Sequence, residues 1–373
     1  MNDPASLTKH IKTAASALIL QIVYGYAVKP LSADPLVLLI EQMMDEFSLA
    51  FRPMTWAVDF LPWLRHMPEW FPGASFKRLG RQWSVNTRMV IETPYNFVRK
   101  QIARGVYRQS FVASTLNPGG SGSTELSEEY LRAVKNSAAI MYAGGADTTV
   151  SSLSSLILAL TLFPEVQKKA QEEIDAVVGT DRLPGFADRE NLPYVNAMVK
   201  EALRWFPITP LITTHVNDVD IDCGGYHIPK GAYLLPSLWW FLHDPETYSD
   251  PESFDPDRFL EPRNEPDPAT DTFGYGRRVC PGRHLADDSL FINVSRLLAM
   301  FNVSKALDCY GNEITPVVAT VPGLISHPVK YPYSIKPRSA KHADMIRSVE
   351  SLHPWQEGDA AFLDFKSSVN NTA

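Results

Sequence analysis

The chain has 373 residues with a formal net charge of −7, and 45% hydrophobic against 21% charged residues, which places it with ordinary globular proteins and excludes a disordered or fibrous one. A balance this acidic excludes nucleic acid as the expected partner, which would need a basic face. Three widely spaced cysteines, Cys223, Cys280 and Cys309, cannot build a disulfide framework or a four-cysteine zinc site, and suit a reducing compartment.

No basic region followed by an apolar stretch opens the chain, so no signal peptide is read. The longest uncharged run, 13–28, contains Ser16, Gln21, Tyr24 and Gly25 and falls short of the ~20 apolar residues a membrane span requires. A buried helix explains it better. Without a secretory signal, the glycosylation-type triplets at Asn293, Asn302 and Asn370 read as chance matches.

Apolar residues at helical period run over 7–28, 35–51 and 76–106. Between the last two lies a connection, 51–71, holding Phe51, Trp56, Phe60, Trp63, Trp70 and Phe71. Two readings of it stay open: a loop packed on the core by its aromatics, or an apolar lid or membrane-dipping surface. Residues 117–123, Asn-Pro-Gly-Gly-Ser-Gly-Ser, have the composition of a flexible linker. Ser127 then suits an N-cap, with Glu128 and Glu129 at the positive helix end. No proline follows until Pro164, so one long helix is expected. Its middle carries Gly144-Gly145, which a helix interior tolerates at about 1 kcal/mol per glycine.

Pro164 and Gly179 frame a charged surface helix with Glu165 four residues before Lys169. Another helix, 194–205, stops before Pro207. Strands are expected at 219–221 and 226–228 around a Gly224-Gly225 turn. A proline-rich stretch of little regular structure runs over 243–271, and 284–300 has the spacing of a buried helix. No internal repeat is present.

The strongest chemical signal is Phe273-Gly274-Tyr275-Gly276-Arg277-Arg278-Val279-Cys280-Pro281-Gly282. A cysteine sits where a glycine-rich turn meets the start of an apolar helix, whose free N–H groups favour the metal-binding thiolate. Gly276 and Gly282 permit close approach of backbone to a flat ligand, and Arg278 can meet an anionic group on it. One thiolate with no neighbouring His or Cys suits a metal that brings its other ligands, as haem does. Taken alone, Gly-x-Arg-x-Cys-x-Gly is better read as a buried structural cysteine in a glycine-rich loop.

The decapeptide matches, at every fixed position, the haem-binding signature of the cytochrome P450 family, Phe-x-x-Gly-x-Arg-x-Cys-x-Gly. Three further segments resemble the same family in the same order. Gly144-Gly145-Ala146-Asp147-Thr148-Thr149 resembles its distal-helix motif, which implies that Gly145 makes room for bound O2 and that Asp147 and Thr148 deliver protons. Glu201-Ala202-Leu203-Arg204 with Pro256-Asp257-Arg258-Phe259 resembles its buried Glu-x-x-Arg pair and the arginine that joins it, and implies a structural role. Thr213-Thr214-His215 resembles a segment whose histidine meets a haem propionate, although Thr214 replaces the usual proline.

The resemblance implies a mainly α fold with small β-sheets, a single P450 domain over 1–373, and haem b held by Cys280. Arg278 and His215 become propionate partners, Phe273 a ring near the sulfur, and Gly276 and Gly282 part of the cofactor cradle. It implies insertion of one oxygen atom from O2 into an apolar substrate, contacted by 51–71, 140–146, 208–213 and 321–325. With no dinucleotide fingerprint in the chain, electrons are expected from NADPH through a separate cytochrome P450 reductase, at the cytosolic face of the endoplasmic reticulum membrane. The overall flavour is similar to mushroom-type fungal members, which suggests a secondary metabolite such as a terpenoid or aromatic compound.

Set beside the family, the chain is expected to be N-terminally truncated, without the membrane anchor, several strands and a helix that contacts the propionates. That expectation carries weak haem retention, exposed strand edges around 211–236 prone to aggregation, and a poorly ordered tail after about 338. Two other classes stay open: a non-catalytic remnant that folds partly or binds a partner, and a P450-fold isomerase or dehydratase that needs haem but no O2 activation.

Overall fold

A computed structural model describes residues 6–30, 32–52, 54–118 and 126–365. The chain divides into two compact units, 1–150 with 349–373, and 151–348.

The first unit is helical. α1 (Leu7–Tyr24) buries Ile19, Leu20, Val23 and Tyr24, so the uncharged run is indeed a buried helix. α2 (Pro35–Ala50) starts where the residue types dictate: Asp34 accepts from the Leu36 and Val37 N–H groups, and Pro35 occupies the first turn. The connection that follows holds two short helices, α3 (Ala57–Phe60) and a 3₁₀ turn at Pro62–His66. Of its aromatics, Trp63 pairs with Phe71 and Trp56 with Trp83 of the helix that follows. Trp70 stays 81% exposed and Met54 78%, so of the two readings the structure favours an apolar surface.

α4 (Phe76–Ala103) continues through Pro94 and packs on α2. α5 (Phe111–Leu116) is capped by the Ser110 hydroxyl. The glycine-rich linker falls mostly outside the described residues, as does Asn370. α6 (Glu128–Leu162) is the expected long helix, with Tyr130 N–H donating to the Ser127 hydroxyl at 3.2 Å. The unit boundary falls within it.

Gly145 of α6 faces α1: a Cβ there would lie 2.5 Å from two side-chain carbons of Ile19. This corrects the role the family resemblance implied. The missing side chain at 145 serves close helix packing, and the open position is Gly144, where a Cβ would meet nothing within 4 Å. Gly145→Ala is therefore expected to cost about 1–3 kcal/mol by overpacking. Ile19→Ala in the same chain should recover part of that in urea unfolding, and strictly additive losses would refute the contact.

The second unit packs α7 (Pro164–Val177), α8 (Pro193–Trp205) and α11 (Arg283–Met300) together, burying Ala170, Ile174, Val195, Met198, Phe291 and Leu298. The described residues of this unit also form four small antiparallel sheets, of which the three-stranded one packs on α7 and α11. β1 (His215–Val216) pairs with β4 (Tyr233–Leu234), and among the described residues each pairs only with the other. β2 (Ile221–Cys223) pairs with β3 (Tyr226–Ile228) across Gly224-Gly225. β2 begins two residues later than the pattern predicts, because the Val219 carbonyl is taken by the Asn217 amide and Asp220 caps the Lys230 N–H.

β5 (Phe301–Leu307) lies between β6 (Glu313–Ile314) and β9 (Tyr333–Pro337), with Val303 opposite Ile335. Gln167 of α7 completes β5's bonding: its amide donates to the Val303 carbonyl at 3.0 Å and its carbonyl accepts from the Val303 N–H at 2.8 Å. β7 (Thr320–Val321) pairs with β8 (His327–Pro328).

The stretch 243–271 contains only α9 (Leu238–His243) at its start, a 3₁₀ turn at Pro256–Phe259 and the four-residue α10 (Ala269–Thr272). Side chains order it, with Arg258 and Arg263 both bound to Glu265. The stretch after 338, expected to be poorly ordered, carries α12 (Ala340–Leu352). Its entry is fixed by Arg338, which forks onto the Asp175 carboxylate at 2.8 and 2.5 Å.

Candidate cofactor site

The cysteine loop is built by short-range bonds. The Tyr275 hydroxyl donates to Asp271 at 2.6 Å, and the Gly274 N–H closes on the Asp271 carbonyl at 3.0 Å. Burial first, and then the Asp271 carboxylate, pushes the Tyr275 phenol up. Gly274 and Gly276 take φ of +75° and +59°, a backbone that L side chains resist. A 3₁₀ turn at Gly276–Arg278 follows, and the Cys280 N–H closes the loop onto the Phe273 carbonyl at 2.8 Å. Two residues on, Gly282 caps α11, and its carbonyl accepts from Ala286 at 2.9 Å. Cys280 is thus held just before a helix start.

These residues fit a flat, anionic, metal-bearing group. Cys280 is half-buried and unbridged. Among the described residues no cluster of His, Cys, Asp and Glu could hold a metal by itself, so a metal at Cys280 must bring other donors. Gly282 has an ordinary negative φ of −87°, and a Cβ on it would lie 3.8 Å from the Cys280 sulfur, with nothing nearer in the protein. At Gly276 a Cβ would meet no protein atom within 4 Å. Backbone sterics thus explain Gly276 but leave Gly282 unexplained, as a ligand lying over the loop would. Arg278 is exposed, and its guanidinium has no carboxylate partner among the described residues, leaving it available to an acidic group.

The structure brings Phe273, Gly276, Arg278, Cys280 and Gly282 into one loop. His215 lies in the same unit on β1, exposed and opposite Leu234, and no hydrogen bond joins it to that loop among the described residues. Asp147 and Thr148 belong to the first unit. The Thr148 hydroxyl donates to the Gly144 carbonyl at 2.7 Å, one turn back, a bond that loosens a helix locally.

Glu201, Arg204 and Arg258 form a network of fully buried side chains. Arg204 forks onto Glu201 at 2.8 and 2.9 Å, and Arg258 donates to Glu201 at 3.1 Å. The remaining donors reach backbone carbonyls and one further carboxylate: Arg204 the carbonyls of Leu242 and Ser253, Arg258 those of Ser249, Asp250 and Ser253 and the Glu265 carboxylate at 2.7 Å. Burial pushes the Glu201 carboxyl up, and the Arg204 bond and charge, then Arg258 and the Asp255 N–H, pull against it.

The segments 208–213 and 321–325 meet, because the Ser326 N–H donates to the Ile208 carbonyl at 2.7 Å, and the Ser151 hydroxyl of α6 donates to the Ser326 carbonyl. No local pattern announces a bond between residues so far apart in the chain.

Loop and fold together define a mainly helical protein that presents one half-buried cysteine at a helix start. The Cytochrome P450 family model matches residues 2–331. A cytochrome P450 monooxygenase, CLM2, of Gibberella zeae is 54% identical over 97% of this chain and 69% of its own length. The multifunctional cytochrome P450 monooxygenase af510 of Aspergillus fumigatus is 46% identical over 94% of this chain and 66% of its own. The O-methylsterigmatocystin oxidoreductase of Aspergillus flavus is 40% identical over 96% and 67%. A solved zebrafish cytochrome P450 with abiraterone superposes with a TM-score of 0.66 at 27% identity, covering 89% of this chain and 72% of that one.

The chain belongs to the cytochrome P450 family, and its fold is the family's. That family comprises haem-dependent, oxygen-incorporating oxidoreductases, generally microsomal and served by O2 and redox partners. The chain spans about two thirds of the length of the curated relatives it matches. Among the described residues one helix, Glu128–Leu162, is long and apolar enough to cross a membrane, and most of its apolar stretch is buried within the protein.

Proposed function

We propose that this chain is the greater part of a single-domain haem-thiolate monooxygenase that inserts one oxygen atom from O2 into an apolar organic molecule. The observation that carries the reading is Cys280, half-buried and unbridged at the end of a closed glycine loop against the start of α11. Haem, when bound there, supplies O2 activation and oxygen transfer. Arg278 and His215 would bind its acidic groups, Phe273 would shield the sulfur, and Gly276 and Gly282 would let the backbone lie close.

Thr148 would position a proton. Its hydrogen is committed to the Gly144 carbonyl, so its oxygen faces other donors as an acceptor, with Asp147 one residue before it as the acid. Thr148→Ala is expected to lower product formed per NADPH consumed, with a matching rise in peroxide. Unchanged coupling would remove the proton-relay role.

The substrate segments within the second unit are 208–213 and 321–325, joined by the Ser326–Ile208 bond; in the first unit they are 51–71 and 140–146. Their apolar character supports an apolar substrate, and the fungal relatives support a secondary metabolite, terpenoid or aromatic, as its class. Electrons would come from NADPH through a cytochrome P450 reductase at the endoplasmic reticulum. The test is the carbon monoxide difference spectrum of the reduced, haem-supplied protein. A thiolate-type band is expected, and its absence in the chain extended to the length of its relatives would overturn the reading.

A further inference from the structure

The segment after α12 is tied to the far end of the sequence by buried polar bonds. Asp359 is 4% exposed. Its carboxylate accepts from the Ala27 N–H at 2.7 Å and from the Arg108 guanidinium, while its own N–H donates to the Ala27 carbonyl at 2.9 Å. Arg108 also donates to the Gly25 carbonyl at 3.0 Å. Gly358 lies so close to this turn that a Cβ would sit 2.7 Å from the Lys29 Cβ and 3.0 Å from its backbone nitrogen. Further along the same segment, Asp364 pairs with Lys100 of α4 at 2.7 Å.

The turn held in this way leads directly into α2. Tyr26, next to Ala27, is fully buried and donates its hydroxyl to Asp34 at 2.8 Å. The other Asp34 oxygen caps α2 through the Leu36 and Val37 N–H groups. The Leu36 carbonyl accepts from Tyr142 of α6 at 2.8 Å. A buried carboxylate that loses its partners is costly, so the turn at 25–29 and the segment 357–364 stand or fall together.

We propose that residues 357–364 form a strap that fixes the turn between α1 and α2, and through Tyr26 and Asp34 the first turn of α2. Releasing the strap frees α2 and the exposed aromatic connection that follows it. The strap goes beyond the oxygenase reading and does not rest on it.

Hydrogen–deuterium exchange on the full chain, with no ligand, tests the strap, so its failure is distinguishable from failure of the haem assignment. In Asp359→Ala, amides of 26–29 and 36–40 should exchange at least tenfold faster, with α7 and α8 unchanged. Asp359→Asn keeps an acceptor for Ala27 and loses the charge for Arg108, so it should show a smaller rise over the same amides and serves if the alanine variant does not fold. Loosening confined to 26–29, or unchanged exchange at 36–40 in the asparagine variant, would overturn the proposal. So would a tenfold rise spread equally over α7 and α8.

Discussion

Arg258→Ala should lower unfolding stability by about 3–5 kcal/mol, the cost of stranding a buried charge. Arg258 is fully buried and donates to Glu201, Glu265 and three backbone carbonyls. Alanine would leave the Ser249 and Asp250 carbonyls without this donor, and Glu201 with only Arg204 and the Asp255 N–H against the burial that already pushes its carboxyl up. A nearby exposed pair provides the control: Lys169 meets Asp257 at 2.5 Å, but both side chains are about half exposed. Lys169→Ala should therefore cost under about 1 kcal/mol. Urea unfolding of the two variants measures both, with the shift read from the midpoint at constant slope. Equal losses would show that burial is not what gives the network its weight.

That network was legible in the sequence only through family resemblance. As a bare pattern, Glu201 and Arg204 are an i,i+3 pair of the kind found on any helix surface, and nothing local says that Arg258 lies beside them. The long helix, its cap at Ser127 and the buried α11 could be read directly, because capping chemistry and 3.6-residue periodicity act within a few residues. The cysteine loop could be read because positive-φ glycines and the helix start are local requirements.

What escaped was long-range. The resemblance assigns Gly145 to ligand space, whereas Ile19, over a hundred residues earlier, occupies its open side. The tail after 338 looked unstructured because its order comes from Arg338 on Asp175 and Asp359 on Ala27 and Arg108, partners that no window of sequence contains. Composition alone leaves the aromatic connection between two readings, because it does not say which face of a tryptophan meets water.

Cys280→Ala should abolish the thiolate-type band of the reduced carbon monoxide complex, and haem affinity should fall by more than the roughly 10–100-fold that loss of a supporting residue around a metal costs. Helical circular dichroism should not change. The bond that closes the loop runs from the Cys280 backbone N–H to the Phe273 carbonyl, and the positive φ values belong to Gly274 and Gly276; neither needs the sulfur. Cys223→Ala and Cys309→Ala are the controls, since both thiols are exposed, Cys223 at the end of β2 and Cys309 between β5 and β6. Both variants should keep the band in full. Arg278→Ala separates sulfur from cradle: on the proposed roles, in which the guanidinium would act on the cofactor's acidic edge and not on the iron, it should weaken haem retention while leaving the band position of the bound fraction unchanged. A band that survived Cys280→Ala, or vanished in Cys309→Ala, would place the axial sulfur elsewhere. Phe273, Arg278, Gly276 and Gly282 would then be structural residues of an ordinary loop.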